Sequence, residues 1–273
     1  MATRLPWCLP ALAGIVLVFK TVDCGAVPDI RNPGPELPTY PENVDTLPAG
    51  AAYVELSAGY LGRDRGESGR YNTPFLLHYG VVENVELRVY DNGFTWYESH
   101  HGYRGFEPLS FGSLIHIMDE KPAYFLPSIA FEPIVTTNLL GNANTMGGVQ
   151  PILMLTFQNT LPEDIQFNYT FGALRVRNDL GRQDWQFQFQ WALQRQAFFE
   201  DLQLFIHGTY NTMTGTSPDA AAAQTTFMVG QSVIGAGFIY TLNERLSFFG
   251  QAGGGLNADT PAMVSWTGFS VAF

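Results

Sequence analysis

From about residue 51 to the end of the chain, large apolar and polar residues alternate with a period of two. The clearest stretch runs Trp185, Gln186, Phe187, Gln188, Phe189, Gln190, Trp191, Ala192, Leu193, Gln194. Successive side chains of an extended chain point to opposite faces, so this stretch predicts a strand with one bulky apolar face and one face of glutamines. The same pattern recurs from Ile165 to Phe171, where Gln166 and Asn168 fall on the polar face, and from Val85 to Val89, where Glu86 and Arg88 do. It recurs less cleanly from Leu202 to His207: Gln203 and His207 are polar, but Phe205 breaks onto their face.

Twelve strands follow from this reading, near 52–61, 72–80, 84–91, 108–118, 123–134, 148–158, 165–173, 184–194, 199–210, 226–240, 245–252 and 262–273. Many span 9 to 11 residues, the length a tilted strand needs to cross a bilayer. Their connections sort by length. Those after even-numbered strands are tight (81–83, 119–122, 159–164, 195–198, 241–244). Those after odd-numbered strands are longer and rich in Gly, Asn, Asp and Ser (62–71, 92–107, 211–225, 253–261). Short turns at one end and long loops at the other are the signature of a transmembrane barrel. The predicted fold is therefore all-β: a closed antiparallel up-and-down transmembrane β-barrel of about twelve strands, over residues 51–273. The last strand places Phe269, Val271 and the terminal Phe273 on one face. That arrangement resembles the signal read by the outer-membrane barrel assembly machinery, an expected partner together with outer-membrane lipids.

The segment before the barrel has a different character. Arg4 precedes an apolar run from Leu5 to Phe19, and Gly25 and Ala26 follow, the layout of a cleaved secretory signal over residues 1–26. Residues 27–50 carry six prolines and few aliphatic side chains, predicting an extended periplasmic segment or one that enters the barrel mouth. The expected location is the bacterial outer membrane, after export.

Composition then narrows the chemistry. Both cysteines, Cys8 and Cys24, fall within the expected signal, so the exported chain would have no disulfide and no cysteine-based metal or redox site. The chain holds 14 basic and 25 acidic residues. Loss of Arg4, Lys20 and Asp23 with the signal leaves 12 and 24, a sign that disfavours nucleic acid as a partner. No phosphate-binding glycine loop, HExxH or GxSxG motif is present, so no cofactor is implied. His100 and His101 sit in a long loop, where adjacent side chains on an extended backbone do not readily chelate one ion; no metal site is expected.

From Pro74 to Asn92 the chain reads PFLLHYGVVENVELRVYDN. This segment resembles the outer-membrane barrel family associated with the meta-pathway of phenol degradation. His78-Tyr79-Gly80 stands where that family shows an Arg-Tyr-Gly step, and Glu86-Leu87-Arg88 matches its Glu-Leu-Arg strand. Ser110 to Ile117 resembles the family's next strand, with Ser113 in place of an Asp. The resemblance implies an outer-membrane transporter or pore for small molecules, apolar or aromatic ones among them. It implies no catalytic residues.

Two candidate linings follow. If the hairpin turns at 81–83, His78 lies opposite Glu86 and Leu76 opposite Arg88, all facing inward, and strand 52–61 brings Glu55 beside them. Glu55, His78, Glu86 and Arg88 would line or narrow a pore, or else brace the barrel interior as a charge network. Gln166, Asn168, Gln186, Gln188, Gln190, Gln203 and His207 would form a neutral wall facing a small-molecule solute. Two other readings compete with the channel. One is a structural barrel plugged by residues 27–50. The other is a barrel-embedded hydrolase using His116 with Ser113, or His207 with Thr209, although neither spacing supplies a third, orienting group.

Overall fold

A computed structural model describes residues 29–31, 34–36, 40–62, 69–98, 104–141, 149–177, 183–215, 227–257 and 260–273. The expected signal segment and the His100-His101 pair lie outside the described residues. The strands are β1 (Ala52–Leu61), β2 (Arg70–Asn72), β3 (Phe75–Val82), β4 (Val85–Asp91), β5 (Phe94–Tyr97), β6 (Arg104–Phe106), β7 (Ser110–Met118), β8 (Ser128–Thr136) and β9 (Gln150–Leu161). They continue as β10 (Ile165–Arg177), β11 (Gln183–Gln196), β12 (Leu202–Gly215), β13 (Phe227–Asn243), β14 (Leu246–Gly255) and β15 (Val264–Ala272). Twelve of them form one antiparallel sheet, and β15 pairs back onto β1 from Tyr53↔Ala272 to Leu61↔Val264. The sheet is a closed barrel, and closure leaves no unpaired edge in the wall, the condition for crossing lipid with strands. Twelve strands ~4.8 Å apart and tilted by roughly 40° enclose a cylinder about 24 Å across at the backbone.

All twelve expected strands are present, with shifted ends. The fifth begins at Ser128 rather than 123, because Pro122–Tyr124 form a 3-10 turn closed by a Lys121↔Leu126 bridge. Two long loops contain short strands that the alternation did not show: β2, β5 and β6 extend the sheet beyond β1 at the end opposite the tight turns.

Alternation sets the two faces. Phe187, Phe171, Ile206, Phe238, Phe248 and Phe269 point outward and are exposed, an apolar belt suited to lipid. Several large inward side chains lie flat on a glycine of the neighbouring strand. A Cβ on Gly237 would stand 2.3 Å from the Phe205 ring, and one on Gly268 would stand 2.5 Å from the Phe249 ring. These glycines let bulky residues occupy the inner wall without reaching the barrel axis. Tyr53 points inward, where it is 1% exposed and packs 4.0 Å from the His78 ring. Odd-numbered positions of β1 face the lumen, so Tyr53 shares the face of Glu55.

Candidate functional site in the barrel lumen

The described residues of the segment before β1, 29–31, 34–36 and 40–50, lie within the end of the barrel that carries the tight turns. Ile30 N-H donates to Glu244 O at 2.9 Å and Arg31 pairs with Asp201 at 2.6 Å, both on those turns. Further along, the segment touches three separate arcs of the inner wall. Tyr40 packs with Ala192, Phe205, Ile239 and Phe249, and Val44 with Leu114 and Ala130. Ile30 and Leu47 pack with Tyr53 and Ala272. A chain in contact with three arcs of one cylinder crosses its lumen. The segment returns to the wall at Gly80, whose lack of a Cβ is required: such an atom would lie 2.1 Å from Pro48 O.

A buried charge cluster joins this plug to the wall. The His78 ring meets Glu86 at 2.6 Å through Nδ1 and approaches Glu55 to 3.4 Å through Nε2. Arg88 Nε donates to Glu86 at 2.7 Å. The same guanidinium binds the plug residue Glu36 in two-pronged fashion, at 2.6 and 2.8 Å, and reaches Glu132 on β8 at 3.1 Å and Glu42 at 3.3 Å. Gly112 sits opposite Arg88 on β7, the strand between β4 and β8, and having no side chain it leaves Arg88 and the Tyr90 hydroxyl room to reach Glu132. Backbone groups of the plug complete the cluster: Glu36 N-H donates to Glu55 at 2.8 Å and Leu47 N-H to Glu86 at 2.9 Å.

The structure thus brings Glu55, His78, Glu86 and Arg88 together, but in a register different from the one expected. His78 pairs with Arg88, Gly80 with Glu86 and Leu76 with Tyr90. The turn is the two-residue Glu83-Asn84, with Asn84 at φ 68°, and this later turn, together with a one-residue bulge between Gly80 and Val82, sets the pairing two places from the expected one. A shift of two preserves the inward face. The cluster also has members that alternation did not reveal: Glu36, Glu42, Glu132 and Tyr90. Glu132 was readable in principle, because it takes an inward position in the alternating run Ile129 to Val135. Glu36 and Glu42 gave no local signal.

Electrostatics on the plug follow from burial. Desolvation works against ionising Glu36, but the Arg88 guanidinium, a hydrogen bond with Glu42 and the nearby His78 together outweigh it and hold this carboxyl below the usual range. Burial, with Glu36 and Glu132 alongside, pushes Glu42 well above it. Asp45 is raised by burial, and so is the Tyr40 hydroxyl, which donates to Gln194.

The opposite wall is neutral. Across β10, β11 and β12 the inward rows run Asn168, Ala192, His207; Thr170, Gln190, Thr209; and Gly172, Gln188, Asn211. Gln166 sits opposite Gln194, which donates to Gln203 at 2.7 Å, and Gln186 lies nearer the long loops. Ser113 and His116 fall on opposite faces of β7, so they do not form a nucleophile and base; His116 instead contacts Val44 O at 2.8 Å. Among the described residues no group of His, Cys, Asp or Glu is arranged to hold a metal ion.

Among solved structures, the chain is similar to an outer membrane channel from Pseudomonas putida F1. The TM-score is 0.61 with 10% identity, over 87% of this chain and all of that one. The NanC porin aligns with a TM-score of 0.49 and 9% identity, over 81% of this chain and 98% of that one. At these identities the first likeness shows a shared outer-membrane barrel fold. No curated protein matches the sequence. Residues 37–273, from within the plug to the final strand, match the family described as "Putative MetA-pathway of phenol degradation", and the chain belongs to that family.

Proposed function

We propose that the chain is an outer-membrane channel for small neutral or weakly polar solutes, aromatic ones included, with its periplasmic half closed at rest by residues 29–50. The observation that carries this reading is the neutral stretch of wall across β10–β12, where Asn168, Thr170, Gln188, Gln190, Thr209 and Asn211 face the lumen and can hydrogen-bond solutes without selecting for charge. Phe205, Phe249 and Trp266 add aromatic surface to the inner face, and the family to which the chain belongs is consistent with aromatic cargo. On this reading Glu55, His78, Glu86 and Arg88 narrow the pore by holding the plug. Gln166, Asn168, Gln186, Gln188, Gln190, Gln203 and His207 line the lane that opens when the plug leaves. Phe269, Val271 and Phe273 on the closing strand serve recognition by the assembly machinery, and the outward apolar belt contacts lipid.

The buried ion pairs of the plug favour a second reading, a permanently plugged structural barrel. Liposome swelling separates the two. The full chain and a variant lacking residues 29–47 are compared in arabinose and in a phenyl glycoside. A channel gives flux that rises severalfold when the segment is removed. No flux from either protein supports the structural barrel.

A further inference from the structure

The charge count around the plug does not balance. Glu36 and Glu42 from the plug, Glu55 from β1, Glu86 from β4 and Glu132 from β8 converge on a single guanidinium, Arg88, and a single imidazole, His78. All seven side chains are at most 15% exposed. The wall alone brings three carboxyl groups against two bases. Docking adds two more carboxyl groups and no cation, in a place where water cannot screen them.

The two incoming groups are not equivalent. Glu36 takes both terminal nitrogens of Arg88, the arrangement that best satisfies an ionised carboxylate. Glu42 reaches Arg88 through one long contact, 3.3 Å, to a nitrogen already shared by Glu36 and Glu132, and it also meets the Glu36 carboxyl itself. It faces Glu36 within the plug, Arg88 and Tyr90 from β4 and Glu132 from β8. Glu86, His78 and Glu55 stand behind Arg88, with Tyr53 beside His78. Of the other ionisable groups on the plug, Asp45 lies by His116 and Asp119 at the β7 end of the segment, and Asp29 and Arg31 lie by Asp201 on the tight turn before β12.

We propose that docking of the plug takes up one proton at Glu42, so that the barrel is a gate that tightens in mild acid and loosens as the periplasmic pH rises. The burial that raises this carboxyl in the docked state is absent when the segment is free in water. A group whose docked value lies above its free value binds its proton on docking, and docking is therefore progressively lost as pH climbs from the ordinary carboxylate range through the docked value. With Glu42 protonated, its O-H becomes a donor among acceptors, and one of the five negative charges is gone.

This inference rests on the plug being the occluding piece, so its test reads the plug and not the flux. In the full chain carrying Cys8→Ser and Cys24→Ser, Val44→Cys is buried when the plug is docked. Its rate of modification by a membrane-impermeant maleimide is measured from pH 5 to pH 8. Each rate is divided by that of Glu83→Cys, an exposed turn position, to remove the intrinsic pH dependence of thiols. The normalised rate is expected to rise tenfold or more across this range. Adding Glu42→Gln should flatten it to less than twofold, at the slow, docked level, while Asp45→Asn leaves the rise intact. A flat profile without Glu42→Gln, an unchanged rise with it, or a rise abolished by Asp45→Asn would each overturn the assignment. Because the readout is accessibility, it holds its meaning even if the swelling assay shows no solute flux.

Discussion

One lumen has two unlike arcs. From β1 through β8 the inner wall carries Glu55, His78, Glu86, Arg88 and Glu132, all nearly sealed from solvent and all engaged with the plug or with one another. From β9 through β14 it carries amides, hydroxyls and one histidine around an apolar patch of Ala192, Phe205, Ile239 and Phe249; Gln190 Oε1, Asn211 Oδ1 and Ser247 Oγ make no hydrogen bond among the described residues. The first arc grips Glu36 and Glu42 of the plug through ion pairs. The second meets the plug at the apolar seat of Tyr40 and at Gln194, and leaves other amides and hydroxyls for transient contact. Holding is concentrated on the charged side and passage on the neutral one.

The sharpest way to break this contrast is to remove the hub of the charged arc. Arg88→Met leaves Glu36, Glu86 and Glu132 buried without their cation, and loss of one partner from such a cluster costs about 3–5 kcal/mol. The expected outcome is a plug released at every pH, read as fast modification of Val44→Cys, and a lower temperature of heat modification in detergent gels. Next comes Glu36→Gln, which weakens the two-pronged contact and, at roughly 1.5–3 kcal/mol for hydrogen bonds to a charged group, loosens the plug without disturbing the wall. Its pH signature is specific. The Glu36 carboxyl is held below its ordinary value when docked, so its contribution is present above that value and disappears as pH falls through the lower, docked one. The wild-type plug should therefore detach again in strong acid, and Glu36→Gln should lack that acid limb.

How far the sequence foretold these arcs depends on whether the information is local. Alternation is local, and it located every barrel strand and the inward face of both linings. It even registered the plug in negative: Phe205 broke the polar pattern of its strand, and Phe205 is where the Tyr40 ring docks, with centroids 4.9 Å apart. Inward apolar residues such as Phe205, Ile239 and Leu114 are misplaced for a water-filled wall and correctly placed for a wall that holds a segment of chain. The hairpin register differs because the turn lies at Glu83-Asn84, later than 81–83, and the one-residue bulge after Gly80 that offsets part of this carries no strong compositional mark. Glu36 and Glu42 were illegible for a deeper reason. Their partners lie 52 and 46 residues away in sequence, and a proline-rich stretch with scattered carboxylates reads the same whether it is solvated or buried.

The seat of Tyr40 offers the next test. Gly237→Ala would place a Cβ 2.3 Å from the Phe205 ring and 2.5 Å from Gly250 O, so Phe205 must swing off the wall toward the barrel axis. Overpacking of this kind costs about 1–3 kcal/mol. Tyr40 should lose its docking surface while the charge cluster stays intact, giving a plug that is partly loosened and still pH-dependent.

The smallest expected effect is on the neutral arc, and it tests the contrast from the other side. Gln190 is 6% exposed and its Oε1 has no hydrogen-bond partner among the described residues. Gln190→Met keeps the length of the side chain and removes the polar end. A buried acceptor without a partner gives up nothing when replaced by an apolar group of similar shape, so stability should move by less than ~1 kcal/mol, in either direction. Accessibility of the plug should not change, because Gln190 lies away from Arg88. What should change is preference among solutes: in the variant lacking residues 29–47, swelling in the phenyl glycoside should gain on swelling in arabinose. An equal effect of Gln190→Met and Arg88→Met on heat modification would mean that the two arcs do not divide holding from passage.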